Sequence, residues 1–274
     1  KNISLDISEG SYFVLLGNSG AGKSLLLKAI SGFEKICNGE IILNNTDITH
    51  QEIHKRKIGY LMQDYLIFPH LSVFDNIAYS LKIKNSDKNK IKNSVEKWAA
   101  EFDITDLLGR SIKGLSGGEK QRIALARTMV SEPELILLDE PLSSIDVQLK
   151  DQIRALLRKI NRMGVTVFHV THDLNEAVCL ADKIGVLNEG SLIFTGTTEE
   201  LFNNPKHPFI ARFIGIKNYF KATLQRNTDN DICKVTLPSG KEISIATESP
   251  NGKGFYLLPS DEIILSLEKV DSSA

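Results

Sequence analysis

Cysteine is scarce in this sequence, and neither sign of charge is in excess. Its three cysteines, Cys37, Cys179 and Cys233, are an odd number at wide spacings, so neither a disulfide framework nor a C-x-x-C metal clip can be built from them. A reducing compartment is expected. The 33 basic side chains face 34 acidic ones, for a formal charge of −1. That balance removes the basic footprint of a nucleic-acid binder and the acidic tail of an interaction protein, so a bound anion must be held by a local site. No stretch approaches the roughly 18 to 20 uninterrupted apolar residues that span a bilayer, and the first residues lack the basic, apolar and small-residue order of a signal peptide. A cytosolic chain is expected, with any membrane role exercised through a partner. The sequence opens at Lys1, not at methionine, and enters at once a strand-like alternation, Asn2-Ile3-Ser4-Leu5-Asp6-Ile7. Residues preceding Lys1 are therefore expected.

The 274 residues, 42% of them apolar, suit a main domain of about 200 residues with an appendage. Tyr12-Phe13-Val14-Leu15-Leu16 has the length and continuity of a strand buried on both faces. A glycine-rich turn follows, and then Leu26, Leu27 and Ile30 recur at helical spacing. Residues 39–61 read as short strands turning at Asn44-Asn45, and 72–108 as mostly helical. The apolar runs 135–138 and 165–170 flank a helical stretch over 147–163. Buried strands alternating with helices predict an α/β core with a largely parallel sheet. From Phe213 to Tyr219 the character changes to period-two alternation at 222–224, 235–237 and 243–245. Asp229-Asn230-Asp231, Pro238-Ser239-Gly240 and Pro250-Asn251-Gly252 punctuate it. The expected organisation is a core over 1–215, with a helical subdomain near 64–130, and a small all-β appendage of OB-like type over 216–274.

Gly17-Asn18-Ser19-Gly20-Ala21-Gly22-Lys23-Ser24 fits G-x-x-x-x-G-K-[ST] between a buried strand and a helix. Glycines let the backbone wrap phosphates, and the amides and dipole at the helix start favour the anion. Lys23 would reach the β and γ phosphates and Ser24 would ligate Mg²⁺. Leu138-Asp139-Glu140-Pro141 ends the next buried strand, at the sheet edge where ligands of such folds collect. There Asp139 can hold the metal and Glu140 can act as general base, although carboxylates also end strands as simple helix caps. His172 closes a further strand at the same edge and can meet the γ phosphate. His169, within that strand, reads as a packed structural histidine, and a zinc pair of the two is not expected because their spacing sets them on opposite faces. Leu115-Ser116-Gly117-Gly118-Glu119 opens another helix. A cap accounts for Ser116 but hardly for both glycines, which suggests a second anion cradle in a chain that needs one.

The loop at 17–24, Gln63 in Leu61-Met62-Gln63-Asp64, the LSGGE-type signature at 115–119, the pair Asp139-Glu140, Ser143-Ser144-Ile145-Asp146 and His172 together resemble the ATP-binding subunit of an ABC transporter, over about residues 1–215. The resemblance implies a P-loop ATPase working as a head-to-tail homodimer, each ATP lying between one copy's phosphate loop and the other's signature. It implies that Ser116, Gly117, Gly118 and Glu119 meet the nucleotide held by the partner, that Gln63 senses Mg²⁺, that Asp146 crosses the interface, and that Glu140, His172 and Lys23 serve catalysis. It further implies integral-membrane permease subunits as partners, a solute-binding protein beyond them, and residence at the cytoplasmic face of the membrane.

The segment Leu66 to Phe74 resembles the import branch, where it leads into a subdomain that docks the permease; Phe68, Leu71 and Phe74 fit either that groove or plain core. The appendage resembles a shortened regulatory domain of importer ATPases, those for molybdate or tungstate, sulfate, polyamines and sugars among them, and Glu200-Leu201-Phe202, Pro205 to Pro208 and Phe209 to Gly215 before it are most similar to the oxyanion branch. The appendage is short for a full oxyanion-sensing domain. A soluble ABC protein of DNA repair or the ribosome would need a coiled-coil insertion or a second ATPase domain, and a module without turnover would lack Glu140 or His172. Family members stack adenine on an aromatic upstream of the first strand. The sequence as given begins after that point, so weaker nucleotide binding is expected, by about 1–3 kcal/mol on the scale of base–aromatic stacking. Asn18 and Leu25 stand where many relatives have proline and threonine, with little effect expected.

Overall fold

The computed structural model describes residues 2–143, 145–203, 205, 207–216, 218–226, 232–237, 239–246 and 251–258. The chain divides into two compact units, Lys1–Leu201 and Phe202–Ala274, so the boundary expected at 215 lies inside the second.

The first unit begins with β1 (Tyr12–Leu16) and α1 (Lys23–Ser31), then a hairpin of β2 (Ile42–Leu43) and β3 (Thr46–Asp47), then β4 (Ile58–Leu61). Asn44 and Asn45 take φ of 47° and 60° in the hairpin, the left-handed pair that a two-residue turn requires and asparagine tolerates. There follow α2 (Val73–Ile83), α3 (Lys88–Glu101), α4 (Gly117–Met129), β5 (Leu135–Asp139), α5 (Val147–Arg162), β6 (Thr166–Thr171), α6 (Leu174–Leu180), β7 (Lys183–Asn188), β8 (Ser191–Gly196) and α7 (Thr198–Asn203), in which the boundary at Leu201 falls.

One sheet gathers the larger strands in the order β4-β5-β6-β1-β7-β8. All neighbours are parallel except β7 and β8. Every residue of β1, β5 and β6 is buried, as the continuous apolar runs imply for strands covered on both faces. Phe13 and Phe168 meet there with ring centroids 5.3 Å apart. Removing so large a buried ring as Phe168 would cost about 3–5 kcal/mol. Because β1, β5 and β6 run the same way, the residues just beyond Leu16, Asp139 and Thr171 all emerge at one edge, beside the point where the order turns from β6 to β1 and β7. On the helical side α2 packs against both α3 and α4.

Asn2 to Ile7 form no strand. Ile3, Leu5 and Ile7 pack on the core from one face of an extended segment, which satisfies the alternation without a hydrogen-bonded ladder.

The second unit contains α8 (Pro208–Phe213) and the strands β9 (Asn218–Arg226), β10 (Ile232–Thr236), β11 (Glu242–Ala246) and β12 (Gly252–Leu258). They form an antiparallel sheet in the order β11-β10-β9-β12. The three expected alternations fall on β9, β10 and β11. β12 was not legible, because Gly252 and Gly254 interrupt its pattern. Asp229-Asn230-Asp231, Pro238, Pro250 and, in the first unit, Ser144 lie outside the described residues.

Candidate functional site

Gly17 leaves β1 where any Cβ would collide with the carbonyl oxygen of Leu187 in β7, so only glycine lets the loop start there. Gly22 caps α1 at a φ of 101°, again a glycine position. Asn18, Ser19 and Gly20 are exposed along the loop between them. The Ala21 amide donates to Asn18 and its carbonyl accepts from Gly190, both at 3.1 Å.

Lys23, 5% exposed, donates to the carbonyls of Gly17 at 2.8 Å and Asn18 at 3.1 Å. Burial holds its ammonium below the usual lysine value, with Glu140 and Asp139 pulling the other way. The nearest carboxylate, Glu140, is 4.0 Å away, so the charge is not neutralised in a tight pair. A cation among carbonyls behind a glycine loop at a helix start fits a phosphate chain.

Ser24 donates to Asp139 Oδ1 at 2.9 Å, and the Tyr60 hydroxyl stands 3.4 Å from Asp139 Oδ2. Burial first, and Asp139 second, push the Tyr60 phenol up. Among the described residues no group of three His, Cys, Asp or Glu could hold a metal. A hydroxyl and a carboxylate side by side instead suit Mg²⁺, which takes one or two protein oxygens and completes its shell with phosphates and water.

Glu140 follows β5 at a φ of 47°, a conformation that a non-glycine residue keeps only where its surroundings hold it. Its amide donates to Val170 at 2.9 Å, and its carbonyl accepts from the Ser143 hydroxyl at 2.9 Å. Oε1 lies 3.1 Å from His172 Nδ1. Carboxylate, imidazole and ammonium thus converge from three strand ends. Gln63 reaches the same edge from β4, which pairs with β5 through Leu61 and Leu138, and it is exposed. Asp146 is an exposed residue at the N-cap of α5, where its side chain makes no capping hydrogen bond.

Ser116 caps α4 in a capping box. The Glu119 carboxylate accepts from the Ser116 amide at 2.7 Å and its hydroxyl at 2.8 Å; these bonds, the amide's first, hold it below the usual carboxylate value. The box accounts for Ser116 and Glu119. It does not account for Gly117, where an added Cβ would meet nothing within 4 Å, whereas one at Gly118 would stand 3.2 Å from Leu149.

His169 is fully buried, with Nδ1 3.0 Å from the Tyr12 hydroxyl and Nε2 3.4 Å from Glu176, in keeping with a structural role. Leu71, just before α2, and Asp75, Tyr79, Lys82 and Ile83 on it line a groove of about 330 Å³. Phe68 flanks it, its ring 4.5 Å from that of Tyr79, while Phe74 is half-buried in the helix. Sequence reasoning missed Tyr60, Tyr65, Gln121 and Arg127. The only signals were a tyrosine in a strand ending near Gln63 and polar side chains inside the apolar stretch of α4.

The chain matches the ABC transporter family over residues 1–143. It is 40% identical over 276 residues to the molybdate/tungstate import ATP-binding protein of Pyrococcus abyssi, covering 100% of this chain and 78% of the relative. It is 43% identical over 226 residues to the spermidine/putrescine import ATP-binding protein of Borreliella afzelii, covering 82% of this chain and 65% of the relative. Identity is 40% over 255 residues to the maltose/maltodextrin import ATP-binding protein of Aliivibrio fischeri, with 92% and 69% covered. A dimeric ATP-binding cassette solved in a post-hydrolysis state with ADP and phosphate superposes with a TM-score of 0.65 at 28% identity, over 72% of this chain and 89% of that one. A subunit of an ABC transporter complex from Clostridium perfringens gives 0.70 at 28%, over 79% and 88%. The chain therefore belongs to the ABC transporter family: it is an ATP-hydrolysing, ATP-binding subunit, similar to those of import systems.

Proposed function

We propose that this subunit powers an import complex whose cargo is an oxyanion of the molybdate or tungstate type, working as a homodimer that closes on two Mg·ATP at the cytoplasmic face of the membrane. In this reading Lys23 and the loop amides hold the β and γ phosphates, Ser24 and Asp139 hold Mg²⁺, and Gln63 adjoins it. The metal would neutralise charge developing on the transferred phosphoryl group. Glu140 takes a proton from the attacking water. His172, bonded to the same carboxylate oxygen, keeps it aimed and meets the γ phosphate. Ser116 to Glu119 and Asp146 act on the partner copy's nucleotide.

The observation that carries the sandwich is Gly117, a glycine in a helix's first turn where an added Cβ would meet nothing within 4 Å among the described residues, on a helix start that favours an anion. The dimeric post-hydrolysis relative supports it. The groove on α2 supports a permease segment as docking partner, and a solute-binding protein would deliver cargo to that permease. The oxyanion is favoured because the molybdate/tungstate relative aligns over the whole chain; polyamine and sugar relatives leave those cargoes as alternatives.

The test is Glu140→Gln. With Mg·ATP it should bind nucleotide, lose turnover by about 10²–10⁴-fold, and elute as a dimer in size-exclusion chromatography. Undiminished turnover with monomer alone would remove Glu140 from its role.

A further inference from the structure

Helix α4 carries more than its glycine terminus. Near its other end, half-buried Arg127 donates through Nη1 to the Leu66 carbonyl at 2.8 Å and through Nη2 to the Tyr65 carbonyl at 2.6 Å. Its guanidinium lies 5.3 Å from the centre of the Phe68 ring. Tyr65 and Leu66 take φ of 56° and 43°, two successive non-glycine residues in the left-handed region, which persists only under restraint. The two arms of the guanidinium fall on those two carbonyls. No carboxylate among the described residues forms an ion pair with it, so its fork serves the backbone. A lysine, a single point of charge, could not grip both oxygens in the same way.

The same helix grips a second place. Gln121, fully buried, donates Nε2–H to the Pro141 carbonyl at 2.6 Å. The Tyr65 hydroxyl approaches that oxygen at 3.4 Å. Pro141 directly follows Glu140. The loop after Gln63, the peptide after Glu140 and the terminus at Ser116 are therefore all borne by α4.

We propose that Arg127 is a positioning residue for hydrolysis: it holds the Gln63 loop in its left-handed turn, and through Tyr65 and the Pro141 carbonyl that loop fixes the aim of Glu140. Groove, loop and carboxylate then move as one body with α4. The inference rests on Glu140 being the base, and misplacing a reacting group by about 1 Å is enough to cost about 10²-fold in rate.

The test uses Arg127→Lys and Tyr65→Phe in the full chain, with steady-state ATP hydrolysis and amide hydrogen exchange. Arg127→Lys should speed exchange over 62–68 alone, lower kcat about tenfold, and leave the KM for ATP within about twofold. Tyr65→Phe should lower kcat about threefold at unchanged KM. Unchanged kcat in Arg127→Lys overturns the proposal, and so does faster exchange spreading through β1 and β5, which would make the arginine a general stabiliser. If Arg127→Lys does not fold, an unchanged kcat in Tyr65→Phe overturns it. Glu140→Gln beside them separates the failures: turnover surviving there removes the base itself, whereas turnover surviving only in the Arg127 and Tyr65 variants removes the strap.

Discussion

Lys23 sits where carbonyls face it and water is scarce. Burial lowers its proton affinity, so two quantities should move in opposite directions as pH rises. With the folded value below the unfolded one, the unfolded chain binds more protons in the window between them, and the nucleotide-free protein gains stability as pH rises through it. On the proposed role of Lys23, ATP affinity should fall over the same window, because the phosphates would lose their cation. Melting temperature without nucleotide and calorimetric affinity, followed from about pH 7 to 10, should diverge; Lys23→Met should bind weakly and show neither slope. At His172, the 3.1 Å bond to Glu140 leads us to expect His172→Ala to lose about 10²-fold or more in kcat, with ATP affinity nearly unchanged in the same calorimetry. That the glycine loop, Asp139, Glu140 and His172 share one sheet edge was legible because each ends or follows a buried apolar run. Tyr60 and Gln121 were not, since their roles depend on which strand and helix lie beside them and on nothing in their own neighbourhood.

Among the elements, α4 shows most clearly where local rules and function part. Its capping box is the ordinary solution for a helix start, but Gly117 in the first turn is not, for alanine would fit the open space and the helix better. Gly117→Ala is therefore expected to raise stability by about 0.5 kcal/mol in urea unfolding and to lower ATPase activity at least tenfold. A variant that stabilised the fold and kept full activity would show that the terminus faces only water. On α2, Ile83 is 66% exposed at the rim of an apolar groove. Ile83→Asp should leave hydrolysis by the isolated chain intact and abolish its recovery with membranes holding the cognate permease, read by co-sedimentation. β1, β5 and β6 were legible because strands covered on both faces write unbroken apolar runs. Asn2 to Ile7 shows the reverse: alternation records that one face packs, and says nothing of whether a ladder forms.

At the scale of the whole molecule, the charge balance that excluded a broad electrostatic footprint also predicts how copies should meet. With a formal charge of −1, long-range repulsion between copies is weak, and in the proposed sandwich ATP, held at one copy's Lys23 and offered to another's Ser116 and Gly117, would be the main adhesive. Binding energy realised only in the closed pair makes closure depend on nucleotide and on protein concentration together. At saturating Mg·ATP, turnover per chain should therefore fall in proportion to concentration once dilution leaves monomers in excess, and addition of Lys23→Ala chains should not restore it fully. Such chains can lend a signature but cannot hold a nucleotide, so a mixed pair is drawn shut by one ATP where the wild-type pair has two, and it closes more weakly. Constant turnover per chain across that dilution, measured with a continuous phosphate-release assay, would place the whole hydrolytic site within one copy and leave Gly117 without a purpose.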